Sequence, residues 1–120
     1  MTTLKQFKND CSVYGTYQRR VEHIKNQLKQ TKGNKIPLHQ ELSILQEKIK
    51  SIDEVLDCVE ETYGVETRMT VYRVMIGKEK IEQVAEELNM DPILLQFQLE
   101  ADVNTGLISI ALQQYRGVYA

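Results

Sequence analysis

From Leu38 onward the apolar residues fall at Leu38, Leu42, Leu45, Ile49, Ile52, Leu56, Val59 and Tyr63. The steps alternate between four and three, a heptad seam sustained over more than three repeats, which predicts a helix of coiled-coil type over 38–63. Pro37 suits the first turn of that helix, where its missing N–H costs nothing, and Gly64 suits its end. The preceding stretch carries a looser seam of Leu4, Phe7, Cys11, Tyr14, Val21, Ile24 and Leu28. Gln18 interrupts it, and Gly15 weakens the helix locally by about 1 kcal/mol relative to alanine. The Gly/Asn/Pro-containing segment 31–37 reads as a turn. Two helices of similar length joined by a short turn predict an antiparallel pair, residues 3–31 against 38–63. Phe7 with Tyr63, Tyr14 with Leu56, Val21 with Ile49 and Leu28 with Leu42 share one register, with facing numbers summing to 70. Val13, Ile44 and Val55 lie off this seam and need a further surface, either the second half of the chain or a second chain, so the hairpin is expected to self-associate or to dock on a larger partner.

The second half changes pattern. Val65–Ile76 reads as a helix with Met69, Tyr72, Met75 and Ile76 on one face, stopped by Gly77. Ile81, Val84, Ala85 and Leu88 form the inner face of a second helix. Asp91-Pro92 is a start signal for a third, with the aspartate capping free N–H groups and the proline in the first turn. Leu95, Leu99 and Val103 form its inward stripe, and Asn104-Thr105-Gly106 reads as its end. Leu107–Leu112 is then a strand rich in β-branched residues, and Arg116–Tyr119 its short return strand. A helical reading of 107–114 is the alternative. The expected fold is therefore mainly α: an N-terminal antiparallel helical hairpin over 1–64, then a small winged helix-turn-helix domain over 65–120 closed by a short C-terminal β-hairpin.

Three features of the second half carry a resemblance: Val84-Ala85-Glu86-Glu87-Leu88, the Asp91 cap, and Leu99 followed seven residues later by Gly106-Leu107-Ile108. Together they resemble winged helix-turn-helix domains of bacterial regulators and DNA-processing proteins. The first element also resembles sigma-factor-like helix-turn-helices of phage late regulators. The resemblance implies a small protein of a phage or other mobile element that works with nucleic acid.

The charges complicate that implication. Residues 1–36 hold eight basic and two acidic groups, a balance of +6, whereas residues 37–120 hold seven basic and fifteen acidic, a balance of −8, giving the net −2. A basic first segment can track a polyanion or lie against the acidic half of its own molecule. Winged helices present polar and basic side chains to phosphates and base edges. Here the outward positions of the third helix are Ile93, Leu94, Gln96, Phe97, Gln98, Glu100 and Asp102. Glu100 and Asp102 oppose phosphate, while Ile93, Leu94 and Phe97 form an exposed apolar patch of the kind that marks protein interfaces. These three are the candidate partner-binding residues. The candidate nucleic-acid contacts are Arg19, Arg20, Lys25 and Lys29 on the basic segment, Lys78 and Lys80 before the second helix, and Arg116 on the expected wing.

Other chemistry finds little support. Cys11 and Cys58 are too few for a disulfide framework, and with His23 and His39 they match no zinc-ligand spacing. There is no Gly-rich phosphate loop and no G-x-S-x-G elbow. No enzyme activity, cofactor or metal is expected. With no signal peptide and no membrane span, the expected location is the cytoplasm. The functional expectation is an accessory protein that docks on a larger replication or transcription enzyme, such as a polymerase or helicase, and assists weak, nonspecific nucleic-acid binding, with single-stranded DNA one candidate. The alternatives are a stand-alone dimeric regulator on duplex DNA and an inhibitor that binds protein only.

Overall fold

The structure is a computed structural model that describes residues 2–119, with side chains through 117. It is helical throughout: α1 Leu4–Ser12, α2 Tyr14–Gln30, α3 Ile36–Tyr63, α4 Val65–Val71, α5 Ile81–Glu87 and α6 Pro92–Tyr119. α4 runs on into a π-helical turn, Tyr72–Ile76. No strand occurs among the described residues.

The first expected helix is split in two. The break falls at Val13, beside Gly15, where the backbone leaves helical geometry and the Val13 N–H donates to the Asp10 carbonyl. α1 starts with a capping box in which the Thr3 hydroxyl accepts from the Gln6 N–H and the Gln6 side chain accepts from the Thr3 N–H. Polar pairs tie α1 and α2 to α3. Arg20 pairs with Glu41 nearest the connecting turn, the Lys48 ammonium lies 5.5 Å from the Tyr17 ring centre, and the Tyr14 hydroxyl donates to Asp53 at 3.0 Å. As numbers fall along α2 they rise along α3, so the two helices are antiparallel. These flanking pairs sum to 61, 65 and 67, while Val21 and Ile49, which sum to 70, line one shallow recess. Burial along the seam is graded. Leu42, Leu45 and Ile49 are half-buried, whereas Ile52, Leu56 and Val59 are buried. The first group lies towards the hairpin tip, and the second lies where α6 also packs on α3. Val55, which lies off the seam, is buried for the same reason, and Ile44 remains exposed.

In the second half Val71 and Met75 face inward, while Met69 and Tyr72 are exposed, so the expected Met69/Tyr72/Met75/Ile76 face is turned. The π turn accounts for part of this, because its extra residue rotates the helix surface; the Gly77 N–H closes it on the Tyr72 carbonyl at 2.8 Å. Arg73 bonds both Glu79 and Glu87 and so fastens the loop after the π turn to α5. Val84 and Ala85 are buried as expected from their spacing, but Leu88 is exposed. The α5–α6 turn passes through Asn89 in the left-handed region, φ 55°. Asp91 caps α6, its carboxylate accepting from the Ile93 and Leu94 N–H groups.

The expected β-hairpin wing is absent: α6 continues unbroken for 28 residues, through Asn104-Thr105-Gly106 and the residues expected as strands. Burial explains the difference. Leu95, Leu99, Val103 and Leu107 recur every four residues along one side of this helix and all enter the core. The Thr105 hydroxyl donates back to the Ala101 carbonyl inside the helix. Gly106 marks a helix crossing: a Cβ there would lie 3.6 Å from the Cys58 Cβ and 3.6 Å from the Val55 carbonyl. The β-branched composition of 107–112 is a weak preference by comparison with this burial. One buried cluster includes Phe7 and Cys11 of α1, Ile52–Val59 of α3, Val71 and Met75, Val84 of α5, and the α6 stripe, so it draws on both sides of residue 64.

Two predictions concern α6. At Gly106 an added methyl meets only ordinary contacts, so Gly106→Ala is expected to be neutral or to stabilise by up to about 1 kcal/mol through helix propensity. Gly106→Leu is expected to cost roughly 1–3 kcal/mol by forcing α6 off α3. Denaturant titration of both variants checks this, and equal tolerance of alanine and leucine would show that α6 does not cross α3 there. Asp102 is buried at 8% exposure, and burial raises its carboxyl above the usual aspartate range. A raised folded-state pKa means that Asp102 supports the fold below its unfolded value near 3.9 and that this support is lost as pH rises through the folded value. Asp102→Asn is therefore expected to melt higher than wild type at neutral pH and alike at the acid end; a difference independent of pH would contradict this.

Candidate docking face and basic surface

The Asp91 cap and Pro92 fix where α6 begins, and its inward stripe fixes which way it turns. The opposite side must then face outward. Ile93, Leu94 and Phe97 are 68%, 64% and 67% exposed. Ile93, Phe97 and Pro92 frame a shallow recess of about 290 Å³ with Ile81 and Glu82 of α5 and with Gln96 and Glu100. Three large apolar side chains exposed in adjacent turns of one helix are unfavourable in water, and burying them against another surface is favourable. The face continues beyond the expected end of the helix: Ile108, Leu112 and Tyr115 are exposed on the same side. A reading of 107–112 as a strand concealed this, because alternation along a strand places Ile108 and Leu112 on one face and says nothing of Phe97.

Two acidic residues expected to point outward behave differently. Asp102 turns into the protein. Glu100 pairs with Lys8 of α1 at 2.7 Å, and this hydrogen bond holds its carboxyl below the usual range. No charge therefore interrupts the outer face between Glu100 and Arg116.

The structure divides the basic residues. Arg20 makes a two-pronged pair with Glu41 at 2.7 and 2.9 Å, which raises the guanidinium pKa and lowers that of the carboxyl. Its charge is already matched. Arg19 donates to the Thr16 hydroxyl, and Lys25 lies 3.9 Å from Glu22. Lys29 is exposed in the last turn of α2, followed by Lys32 and Lys35 in the connecting turn. Lys78 and Lys80 are exposed in the loop before α5, with Lys78 at φ 56°. Arg116 is on the last turn of α6 rather than on a wing. The nucleic-acid candidates thus lie on three separate elements, and the hairpin tip with its lysines is the one clustered basic feature. Arg68 and Arg73, which also flank the second half, are held by Asp57 and Glu60 and by Glu79 and Glu87.

Burial pushes the Cys11 thiol up to about 12, so it is a core side chain rather than a nucleophile. No group of three or more His, Cys, Asp or Glu residues placed to hold a metal occurs among the described residues, and none of the described helices is long and apolar enough to cross a membrane. Comparison with family models, with characterised proteins and with solved structures finds no match.

Proposed function

We propose that this chain is a non-enzymatic, cytoplasmic docking module: the outer face of α6 binds an apolar protein surface, and the assembly meets nucleic acid weakly through the lysines of the hairpin tip and the Lys78–Lys80 loop. Such a module suits an accessory subunit of a larger replication or transcription enzyme. The observation that carries the reading is the joint exposure of Ile93, Leu94 and Phe97 on one helix face, where the neighbouring Glu100 is already paired with Lys8. Surface of this kind is disfavoured in water unless another protein covers it. Duplex readout by α6 has less support, since its outward face offers Gln98 and Asn104 but no basic residue before Arg116. Without a wing, a stand-alone duplex regulator also loses the element that would carry Arg116 to a groove.

Replacement of Phe97 by aspartate separates the two activities. Tagged wild type and Phe97→Asp, checked for equal helicity by circular dichroism, are compared in capture of native-host proteins and in anisotropy titrations with unrelated DNA sequences at two salt concentrations. The variant is expected to lose the captured partner. Both proteins are expected to bind DNA weakly, without sequence preference, and less as salt rises, because neutralised phosphates release counterions. Full retention of the partner by Phe97→Asp, or tight salt-insensitive binding of one duplex sequence, would overturn the reading.

A further inference from the structure

The hairpin tip is the most one-sided stretch of the chain in charge. Residues 23–40 hold Lys25, Lys29, Lys32 and Lys35 and no carboxylate. These lysines lie on the last turns of α2 and in the turn before α3, and all four are exposed. Lys25 has a loose pair with Glu22 at 3.9 Å, and Lys29, Lys32 and Lys35 make no ion pair among the described residues. The other basic candidates differ. Lys78 and Lys80 alternate with Glu79 and Glu82, so their loop is close to neutral, and Arg116 is a single charge. The tip also stands clear of the acidic remainder. Along the hairpin, beyond Glu22 and the Arg20-bound Glu41, the next carboxylate is Glu47, about 16 Å up α3 from Ile36. Charges in water are screened over about 10 Å at 0.1 M salt, so the tip acts as a local cation on a chain of net charge −2.

We infer that the four lysines of the hairpin tip contact the phosphate backbone of a nucleic-acid duplex in preference to a single strand. The inference rests on the nucleic-acid part of the proposed function and deepens it, by assigning the element that makes the contact and the form of nucleic acid it takes. Two observations choose the form. Proteins that hold single strands combine positive charge with aromatic side chains on which the bases stack. Residues 23–40 contain no Phe, Tyr or Trp, and the nearest tyrosine along α2, Tyr17, is bonded to Asp10. The tip therefore offers lysines alone, and a lysine ammonium is a point charge that follows phosphate density. A duplex carries one phosphate per roughly 1.7 Å of its axis, against roughly 3.4 Å for one strand. The second observation is shape. α2 and α3 end side by side in a turn of residues 31–35, so the lysines project from a narrow end and line no channel that would enclose a strand. A lipid surface suits the tip less, because Ile36 is the one large apolar side chain exposed between residues 23 and 40.

Fluorescence anisotropy on the full chain tests this, with a short mixed-sequence DNA duplex and either of its strands as probes, over salt from about 50 to 200 mM. The duplex is expected to bind at least about threefold more tightly than the strand, and log K to fall against log salt with a slope of about −3 to −4, four phosphates at roughly 0.9 each. Reversing the three unpaired charges together, Lys29→Glu with Lys32→Glu and Lys35→Glu, is expected to weaken duplex binding at least about tenfold. Lys32→Gln alone is expected to reduce the slope by about 1. Lys78→Glu with Lys80→Glu is expected to weaken binding less than about threefold, since two glutamates already offset that loop. The substituted lysines are exposed, so helicity and melting temperature are expected to stay unchanged. Equal or tighter binding of the single strand overturns the inference, as does wild-type duplex binding by the triple tip variant; in the latter case the nucleic-acid reading survives if the Lys78 and Lys80 reversals abolish binding. Tighter binding to vesicles of anionic phospholipid than to the duplex overturns it in favour of a lipid surface. No binding of wild type to either probe overturns the inference together with the nucleic-acid part of the proposed function, and loss of a captured partner by Phe97→Asp then leaves the docking part standing.

Discussion

At Gly106 the backbone of α6 comes within side-chain reach of Val55 and Cys58 on α3, and the core is arranged around that crossing. α3 contributes Ile52, Val55, Leu56 and Val59, and α6 contributes Leu99, Val103 and Leu107. Phe7 and Cys11 of α1 close the cluster from one side, and Val71, Met75 and Val84 close it from the other. A side chain longer than alanine at 106 would separate the two long helices and open the space that these residues fill. The same crossing explains why the α3 side of the α2–α3 seam is fully buried only in the half beneath α6. Nearer the hairpin tip Val21 and Ile24 of α2 are buried against α3, while Leu42, Leu45 and Ile49 of α3 stay half-buried.

The crossing also determines the functional surface. Once Leu95, Leu99, Val103 and Leu107 are committed inward, Ile93, Leu94, Phe97, Ile108 and Leu112 on the opposite side have no place but outside. The outer face is thus a consequence of a helix with two apolar sides and only one covered by the fold. The acidic groups of α6 beside it are withdrawn or paired: Asp102 is buried, and Glu100 is bonded to Lys8. The basic groups are treated the other way. Four arginine and lysine pairs with acidic residues, at Lys8, Arg20, Arg68 and Arg73, satisfy charge within the molecule, while the hairpin-tip lysines remain exposed.

Much of the architecture was legible where several signals agreed. The 4–3 spacing from Leu38, Pro37 and Gly64 together define α3 to within two residues at its start and at its observed end. Asp91-Pro92 likewise marks the start of α6. The wing was misread because local and nonlocal signals disagree there. Asn104-Thr105-Gly106 is a turn by composition, and 107–112 is strand-like by propensity, but Gly106 is needed for close approach to a helix fifty residues earlier in the chain. Nothing in the local window shows that partner. The four-residue spacing from Leu95 to Leu107 was the signal that could have outweighed it. Val13 is a subtler case, since Gly15 weakens the helix but does not by itself say that the backbone breaks two residues before it. The outward position of Ile93, Leu94 and Phe97 was legible from the inward stripe; the continuation through Ile108 and Leu112 was not, because it depends on the helix being unbroken.

The core and the outer face both require α6 to be one helix across residues 104–112. Backbone chemical shifts and amide exchange over that segment address it directly. Helical Cα shifts without interruption from Ala101 to Leu112, with slowed exchange at Val103 and Leu107, are the expected result. Extended shifts over 107–112, or a fast-exchanging break at Asn104–Gly106, would contradict it and return the segment to a strand.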